Sequence, residues 1–485
     1  MSDDLIQSRI TKLEALKAKG INPYPYSFPV DSNSQQLREQ FEDLADSQQV
    51  VSLAGRIMLV RRMGKASFMT IQDWAGVIQL YFKMDGLGEE KYGLSKLLET
   101  GDIIGAVGTL FKTKTGEITV KVSDFSILTK SIKPLPEKYH GLVDKELRYR
   151  QRSLDMIMNR DVLAVFKQRT LIIAAIREFL NQKGYYEVEI PLLQSVYGGA
   201  EARPFTTHVN AINQDVFLSI SPELYLKRFL VGGFEKVYAL TKTFRNEGID
   251  KSHNPEFTIL ESYEAYVDYN EIMKLAEQMM EYVCLSITGT TRIDYQGMEI
   301  DFKVPWKRIK LFEAIKAFTG LDCRELSHQA LCDEIKKLGI EEKVDFNQEK
   351  GFLILEIFEH CVQPKLIQPT FVYDYPRETS PLCKVHREDS TLIERFEPIV
   401  GGIELGNAFS ELNDPILQRS LLEEQAQKKR AGLETATPMD ENFVEAIELG
   451  MPPAGGLGLG IDRLVMLLTD SASIRDVIAF PFMRT

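Results

Sequence analysis

Between residues 50 and 130 the chain is a series of short apolar runs with polar positions interleaved: VVSLAGRIMLVRR, ASFMTIQD, GVIQLYFK, DIIGAVGTLFKTKTGEITVKV and FSILTK. These runs are rich in β-branched and aromatic residues and are separated by turn formers, a pattern that predicts a small antiparallel barrel of five strands. A helical stretch near EEKYGLSKLLE, inserted between the third and fourth runs, points to an OB-type barrel. A generic β sandwich is the alternative that this pattern leaves open. Upstream, residues 2 to 19 and 34 to 46 carry helical periodicity, and GINPYPYSFPVDS between them breaks it with proline and glycine.

Beyond residue 155 the period changes. Residues 160 to 183 predict a long amphipathic helix, and 270 to 285 predict another. YYEVEIPLL, VFLSIS, KVYALTKTF and PEFTILESYEAY read as strands. Helices mixed with mostly antiparallel strands in one large domain predict an α+β architecture. The segment SIKPLPEKYHGLVDKELRYRQRSLDMI, with Pro134 and Pro136, reads as a linker running into a helix. The expected organisation is a helical extension over 1–48, an OB-type barrel over 49–135, a linker over 136–155 and a large α+β domain over 156–485. No internal repeat or low-complexity tract interrupts it.

Composition sharpens this picture without changing it. With 44% hydrophobic and 26% charged residues in 485, the chain is an ordinary globular protein with material for more than one core. No run approaches 18 uninterrupted apolar residues, and the first twenty are a charged amphipathic pattern without a signal core, so a cytoplasmic protein with no membrane partner is expected. The five cysteines are widely spaced, which supports neither a disulfide framework nor a zinc site. The formal net charge is −12, yet residues 1 to 135 hold 17 Lys and Arg against 16 Asp and Glu. The acidity therefore lies downstream. This asymmetry allows a polyanion at the amino-terminal part and a cationic substrate or magnesium in the acidic part.

Three segments carry candidate chemistry. In RFEPIVGGIELGNAFSELND, Glu397, Glu404 and Glu411 recur every seven residues, but the glycine pair reads as a turn between strands, in which Glu404 and Glu411 point to opposite faces unless a bulge intervenes. Solvated surface acids are one reading. The apolar neighbours Ile399, Val400, Ile403 and Leu405 favour the other, paired or metal-holding carboxylates, and magnesium needs only one or two beside phosphates. GGLGLGIDRLVMLLTD lacks the GxGxxG spacing of a dinucleotide loop. Its glycines let the backbone pass close to a ligand or another strand, and Arg463 beyond them either clamps phosphate, stacks on a base or is a surface arginine. In FRNEGIDKSHNPEFTILE, Arg245 and Glu247 on one strand, His253 in a turn, and Phe257 and Glu261 on a second strand would converge on one cleft. Arginine suits phosphate, phenylalanine suits a base and glutamate suits an exocyclic amine; an ordinary hairpin with a charged turn fits the bare spacing equally.

Taken together, these segments resemble the three signature motifs of the class II aminoacyl-tRNA synthetases. NQKGYYEVEIPLL looks like motif 1, FRNEGIDKSHNPEF like motif 2 and GLGLGIDR like motif 3. NPYPY, KELRYRQRSLD, GGAEARPFTTH, SPELYLKR, LIQPTFVYDYP, SPL and FSELND resemble the lysine-specific branch, in order, from about residue 20 to the end. The class I words HIGH and KMSKS are absent. The resemblance implies an antiparallel catalytic sheet flanked by helices, a homodimer, and ATP-dependent attachment of L-lysine to tRNA(Lys) through a lysyl adenylate, with magnesium as cofactor.

It also implies roles. Arg245 contacts the α-phosphate, Glu247 the adenine amine, His253 the terminal phosphates with Asn254 nearby, and Phe257 stacks on adenine; Arg463 lies on the nucleotide's other side. Glu397 and Glu404 hold magnesium. Glu223, Glu261, Tyr263, Asn407 and Glu411 form the lysine pocket, with Gly199 and Ala200 at its backbone end. Phe68 and Gln79 read the anticodon, and the third position departs from the pattern, Asp124 standing where the family often has glutamate, one methylene longer. A buried ammonium needs carboxylates and a hydroxyl, which this pocket supplies, whereas an aspartyl or asparaginyl relative needs a different lining. The lysyl-transferring paralogue lacks the barrel, and a non-catalytic RNA-binding descendant would have lost a motif arginine or carboxylate.

Overall fold

The computed structural model describes residues 2–136, 142–433 and 435–484. Residues 137–141, within the expected linker, lie outside the described residues. The chain divides into two compact units, Met1–Val143 and Asp144–Thr485.

The first unit is a closed five-stranded barrel in the order Val50–Met63, Ala66–Gln72, Val77–Lys83, Ile118–Thr129, Ile103–Lys112. Alternation creates it: in Ala66–Gln72 and Val77–Lys83 every second residue is buried, so Met69, Ile71, Ile78, Leu80 and Phe82 fill the interior. Two expectations need correction. The run DIIGAVGTLFKTKTGEITVKV is two strands joined by a turn at 113–117, and FSILTK is the continuation of the second of them, past a register shift opposite Val107 and Gly108. The barrel is also not wholly antiparallel, because Val77–Lys83 and Ile118–Thr129 run parallel where it closes. The helix expected over 34–46 is interrupted at Gln40, giving Ser34–Glu39 and Phe41–Asp46. Leu16, Leu37 and Phe41 from the three upstream helices join the barrel core.

The second unit is built on a nine-stranded sheet in the order Lys307–Lys310, Thr370–Pro376, Leu392–Val400, Gly406–Ser410, Ala454–Gly460, Glu256–Ala265, Lys236–Phe244, Tyr186–Glu187, with Ile403–Glu404 pairing to Leu392–Val400. Only the outermost pair at each end is parallel. The stretch YYEVEIPLL is less regular than expected: strand survives at Tyr186–Glu187 and Leu193–Gln194, and Pro191 between them cannot donate to a ladder.

One face of this sheet is closed by the helices Arg160–Gln182, Tyr269–Thr288 and Ile461–Leu468. Ile172, Ile176 and Leu180 recur at helical spacing and meet Leu260, Leu457 and Leu459 from the strands. The other face packs against the helices Glu223–Val231, Leu311–Thr319, Lys350–Cys361 and Glu441–Glu448, but incompletely, and it is there that a cavity opens. The GGLGLG run explains itself at this point. Its leucines enter the core on one side, and Gly456, Gly458 and Gly460 alternate onto the cavity side.

Candidate active site

The cavity measures about 550 Å³ and is floored by the central strands. Register decides what faces it. Glu261 pairs with Gly458, which pairs in turn with Asn407; one row along, Tyr263 pairs with Gly456 and Gly456 with Phe409. Directly opposed residues share a face, so these side chains converge across three strands. A side chain at Gly456 would collide with Glu411 Oε1 and the Tyr263 ring, so glycine there makes the room the carboxylate occupies. At Gly199 a positive φ of 87° and close contact with Ser221 and Glu223 both require glycine.

Glu404 and Glu411 reach the same cavity because a bulge does intervene. Ile399 pairs with Glu404, but Phe396 pairs with Ala408. Three residues back on one strand match four forward on the other, so one extra residue is accommodated near Leu405 and the alternation reverses.

Fourteen of the expected residues line this one cavity: Gly199, Ala200, Glu223, Arg245, Glu247, His253, Asn254, Phe257, Glu261, Tyr263, Glu404, Asn407, Glu411 and Arg463. Glu397 does not. It shares the sheet face but is buried, and its Oε1 accepts from Arg395 Nη2 at 2.6 Å. Arg245 and Glu247 also depart from expectation, since the strand ends at Phe244 and both lie in the loop that follows. Arg245 is held there by its backbone N–H, which donates to the Pro255 carbonyl at 2.9 Å, and its guanidinium lies 5.2 Å from the Phe257 ring centroid. In the loop the His253 ring pairs with Asp250 at 2.9 Å. Arg463 Nη1 donates to the Glu404 carbonyl at 2.6 Å and approaches its carboxylate at 3.3 Å.

The opposite end of the cavity is a buried acidic cluster. Glu261 accepts from Ser221 Oγ at 2.9 Å and from the Tyr263 hydroxyl at 3.0 Å. Burial and the neighbouring Glu223 push its carboxyl up to about 8. Burial likewise pushes Glu411 up to about 8, against the pull of Lys227. Glu411 Oε1 is fully buried with no partner among the described residues.

Sequence reasoning passed over Lys227, which is wholly buried between Glu223 at 2.6 Å and Glu411 at 2.5 Å. Burial opposes its charge and the two carboxylates outweigh that. The signal was available, as Glu223 and Lys227 are i,i+4 on one helix. The pocket thus sets three carboxyl groups, Glu223, Glu261 and Glu411, against one resident ammonium. Glu359, on the helix Lys350–Cys361, was also missed; burial and the charges of Glu397 and Glu404 push it up to about 7. Among the described residues no group of three or more His, Cys, Asp or Glu side chains stands together as a metal site.

On the barrel, Phe68 and Gln79 lie on one face in adjacent rows, Phe68 opposite Tyr81 and Gln79 opposite Thr70. The Phe68 and Tyr81 rings are 4.8 Å apart, Tyr81 and Phe111 follow at 5.8 Å, and Gln79 Oε1 accepts from Thr119 Oγ1 at 3.0 Å. Asp124 is exposed and paired with Lys91 at 2.6 Å.

Comparison with known proteins agrees with both units. Residues 144–484 match the family described as tRNA synthetases class II (D, K and N), and residues 51–128 match the OB-fold nucleic acid binding domain. Among similar relatives are a lysine–tRNA ligase of Clostridium novyi (strain NT), 50% identical over 99% of this chain and 94% of the relative, and one of Pelotomaculum thermopropionicum, 52% identical over 99% and 95%. A third, from Thermoanaerobacter sp. (strain X514), is 51% identical over 99% and 96%. Over a barrel that matches a nucleic-acid-binding fold and a sheet that matches the synthetase family end to end, the chain belongs to the class II tRNA synthetases, in the lysine–tRNA ligase family.

Proposed function

We propose that this protein attaches L-lysine to tRNA(Lys) in two steps, with ATP consumed in the first. The observation that carries the reading is the buried acidic end of the cavity, where Glu411 Oε1 has no partner among the described residues and three carboxyl groups face one internal ammonium. A free amino acid with two ammonium groups meets that surplus of carboxyl groups and draws them into their charged form; an aspartyl or asparaginyl side chain would not. Among ordinary amino acids lysine fits, through Glu223, Glu411 and Tyr263 around one ammonium and Glu261 with the Gly199–Ala200 backbone near the other.

The remaining residues suit the nucleotide. Phe257 stacks on adenine with Glu247 accepting from its amine, Arg245 neutralises the α-phosphate, His253 and Asn254 lie toward the terminal phosphates, and Arg463 covers the far side. The lysine carboxylate is ionised at neutral pH, so its attack on the α-phosphorus needs alignment and charge neutralisation but no general base. Pyrophosphate leaves. The 3′-terminal ribose hydroxyl of the tRNA then attacks the lysyl carbonyl and AMP leaves. Glu404 lies close enough to help raise both Glu359 and Glu397, a nearness of carboxyl groups that suits a hard cation, and Glu397 with Glu404 would hold magnesium. When bound, it supplies positive charge to the phosphates.

On the barrel, Phe68 and Gln79, with Asp124 one methylene shorter than the family's glutamate, suit reading of unstacked anticodon bases by stacking and edge hydrogen bonds. A cytoplasmic homodimer is the expected working form. No helix among the described residues is long and apolar enough to cross a membrane. ATP–pyrophosphate exchange with each amino acid in turn tests the reading: lysine alone should drive strong exchange, and strong exchange with another amino acid would overturn it.

A further inference from the structure

Arg395 is unassigned by anything above, yet it is nearly buried at the wall of the cavity and each part of its guanidinium is spoken for. Nε donates to Asn407 Oδ1 at 2.9 Å, Nη1 to the Thr379 carbonyl at 3.2 Å and Nη2 to Glu397 Oε1 at 2.6 Å. The fully buried Tyr375 ring lies 4.7 Å from its Cζ. These contacts come from its own strand, from the stretch 375–379 and from the strand Gly406–Ser410, so the guanidinium has one place to be.

The consequence for Asn407 follows from donor counting. An asparagine amide is ordinarily ambiguous, since its oxygen and nitrogen exchange on a flip. A guanidinium has only donors. The atom of Asn407 that faces Arg395 must therefore be the oxygen, and Nδ2 is committed to the cavity, with no acceptor among the described residues. A committed donor calls for an acceptor on the ligand. The α-carboxylate of the amino acid is such a group, and it needs placing against the nucleotide.

We propose that Arg395 is a positioning residue: by taking Asn407 Oδ1 it commits Asn407 Nδ2 to donate to the carboxylate of the bound amino acid, and by the same fork it holds Glu397. This deepens the lysine-activation reading and rests on it. Lysine cannot replace Arg395, because an ammonium on a flexible stem does not present three donors in a fixed plane.

The test is a double-mutant cycle on the full-length enzyme in lysine-dependent ATP–pyrophosphate exchange. Arg395→Lys and Asn407→Ala should each raise the KM for lysine about tenfold, the range for losing one hydrogen bond to a charged group. The double variant should be no worse for lysine than Asn407→Ala alone. Inhibition constants for L-lysinol, which keeps both ammonium groups and lacks the carboxylate, should change little in either single variant. KM effects that multiply in the double variant, or lysinol and lysine weakened alike, would overturn the proposal. If Arg395→Lys does not fold, Asn407→Ala in the otherwise unchanged protein still decides: equal weakening of lysine and lysinol overturns the donor assignment. Absence of lysine-dependent exchange in the unmodified enzyme would instead sink the functional reading itself.

Discussion

The two ends of the cavity are built differently. The acidic end stands on sheet strands and a helix, and almost every polar atom there is already bonded to another: Ser221 and Tyr263 to Glu261, Lys227 to Glu223 and Glu411. The other end stands largely on the loop after Phe244, where Glu247 and His253 are exposed and the His253 ring is steadied by Asp250. The contrast teaches how one site can be both selective and permissive of motion. An ammonium is recognised by buried charge, which must be organised before the ligand arrives because reorganising it in a dry interior is costly. Phosphates are long, flexible and solvated, and a loop can close on them.

The acidic end should therefore be the less forgiving, and Glu411→Gln breaks it most. It strips the charge from the partner of a buried ammonium and leaves one acceptor oxygen where there were two, so lysine-dependent exchange should fall by about 3–5 kcal/mol in kcat/KM, while ATP affinity measured without lysine stays near normal. A comparable loss of ATP affinity would mean that the two ends are not separate. At the loop end, Arg245→Ala should raise the activation barrier by about 3 kcal/mol, seen mainly in kcat, with lysine binding in the absence of ATP little changed. Near-normal exchange by that variant would remove Arg245 from the chemistry.

The pH dependence sharpens the comparison further. Glu261 and Glu411 sit at about 8 in the ligand-free protein, so below that pH they hold protons that a bound ammonium must displace. Lysine affinity should rise with pH toward 8, by about tenfold (about 1.4 kcal/mol) per pH unit for each proton released. Calorimetry in buffers of different ionisation enthalpy should show that release, and buffer-independent heats would contradict it. Because these carboxyls are raised above their unfolded values, their stabilising contribution is complete below about 4.5 and lost as pH rises through about 8. The ligand-free protein should then melt lower at pH 9 than at pH 6, with added lysine restoring more at the higher pH. The smallest effect belongs to the loop. Asp250→Ala should raise the KM for ATP by only a few-fold, about 0.5–1 kcal/mol, as it removes one exposed restraint on His253.

Much of this site was legible along the chain, and particular residues show where legibility stopped. The alternation in GGLGLG already separates a core face from an open one, and the β-branched runs of the barrel already count five strands. The division of those runs was misjudged, because nothing local in ITVKVSDFSILT marks one strand bent by a register shift rather than two. Arg245 and Glu247 were expected on a strand face; pairing stops at Phe244, and only the partner strand decides that. Glu397 was read as a magnesium ligand beside Glu404, and its pairing with Arg395, two positions away on the same strand face, went unread.

What the sequence by itself determined is the inventory: the residue types suited to phosphate, base and ammonium, the strand and helix periods, and the family. These depend on neighbours within a few residues, where period and propensity act. Tertiary structure alone decided which of those residues meet. It inserted Lys227 among the pocket carboxyls, brought Glu404 to the side of Glu411 through one extra residue near Leu405, and turned the Asn407 amide by placing a donor-only group against it. Each of these is a relation between strands or helices distant in the chain, set by register and burial, and no local pattern encodes a register.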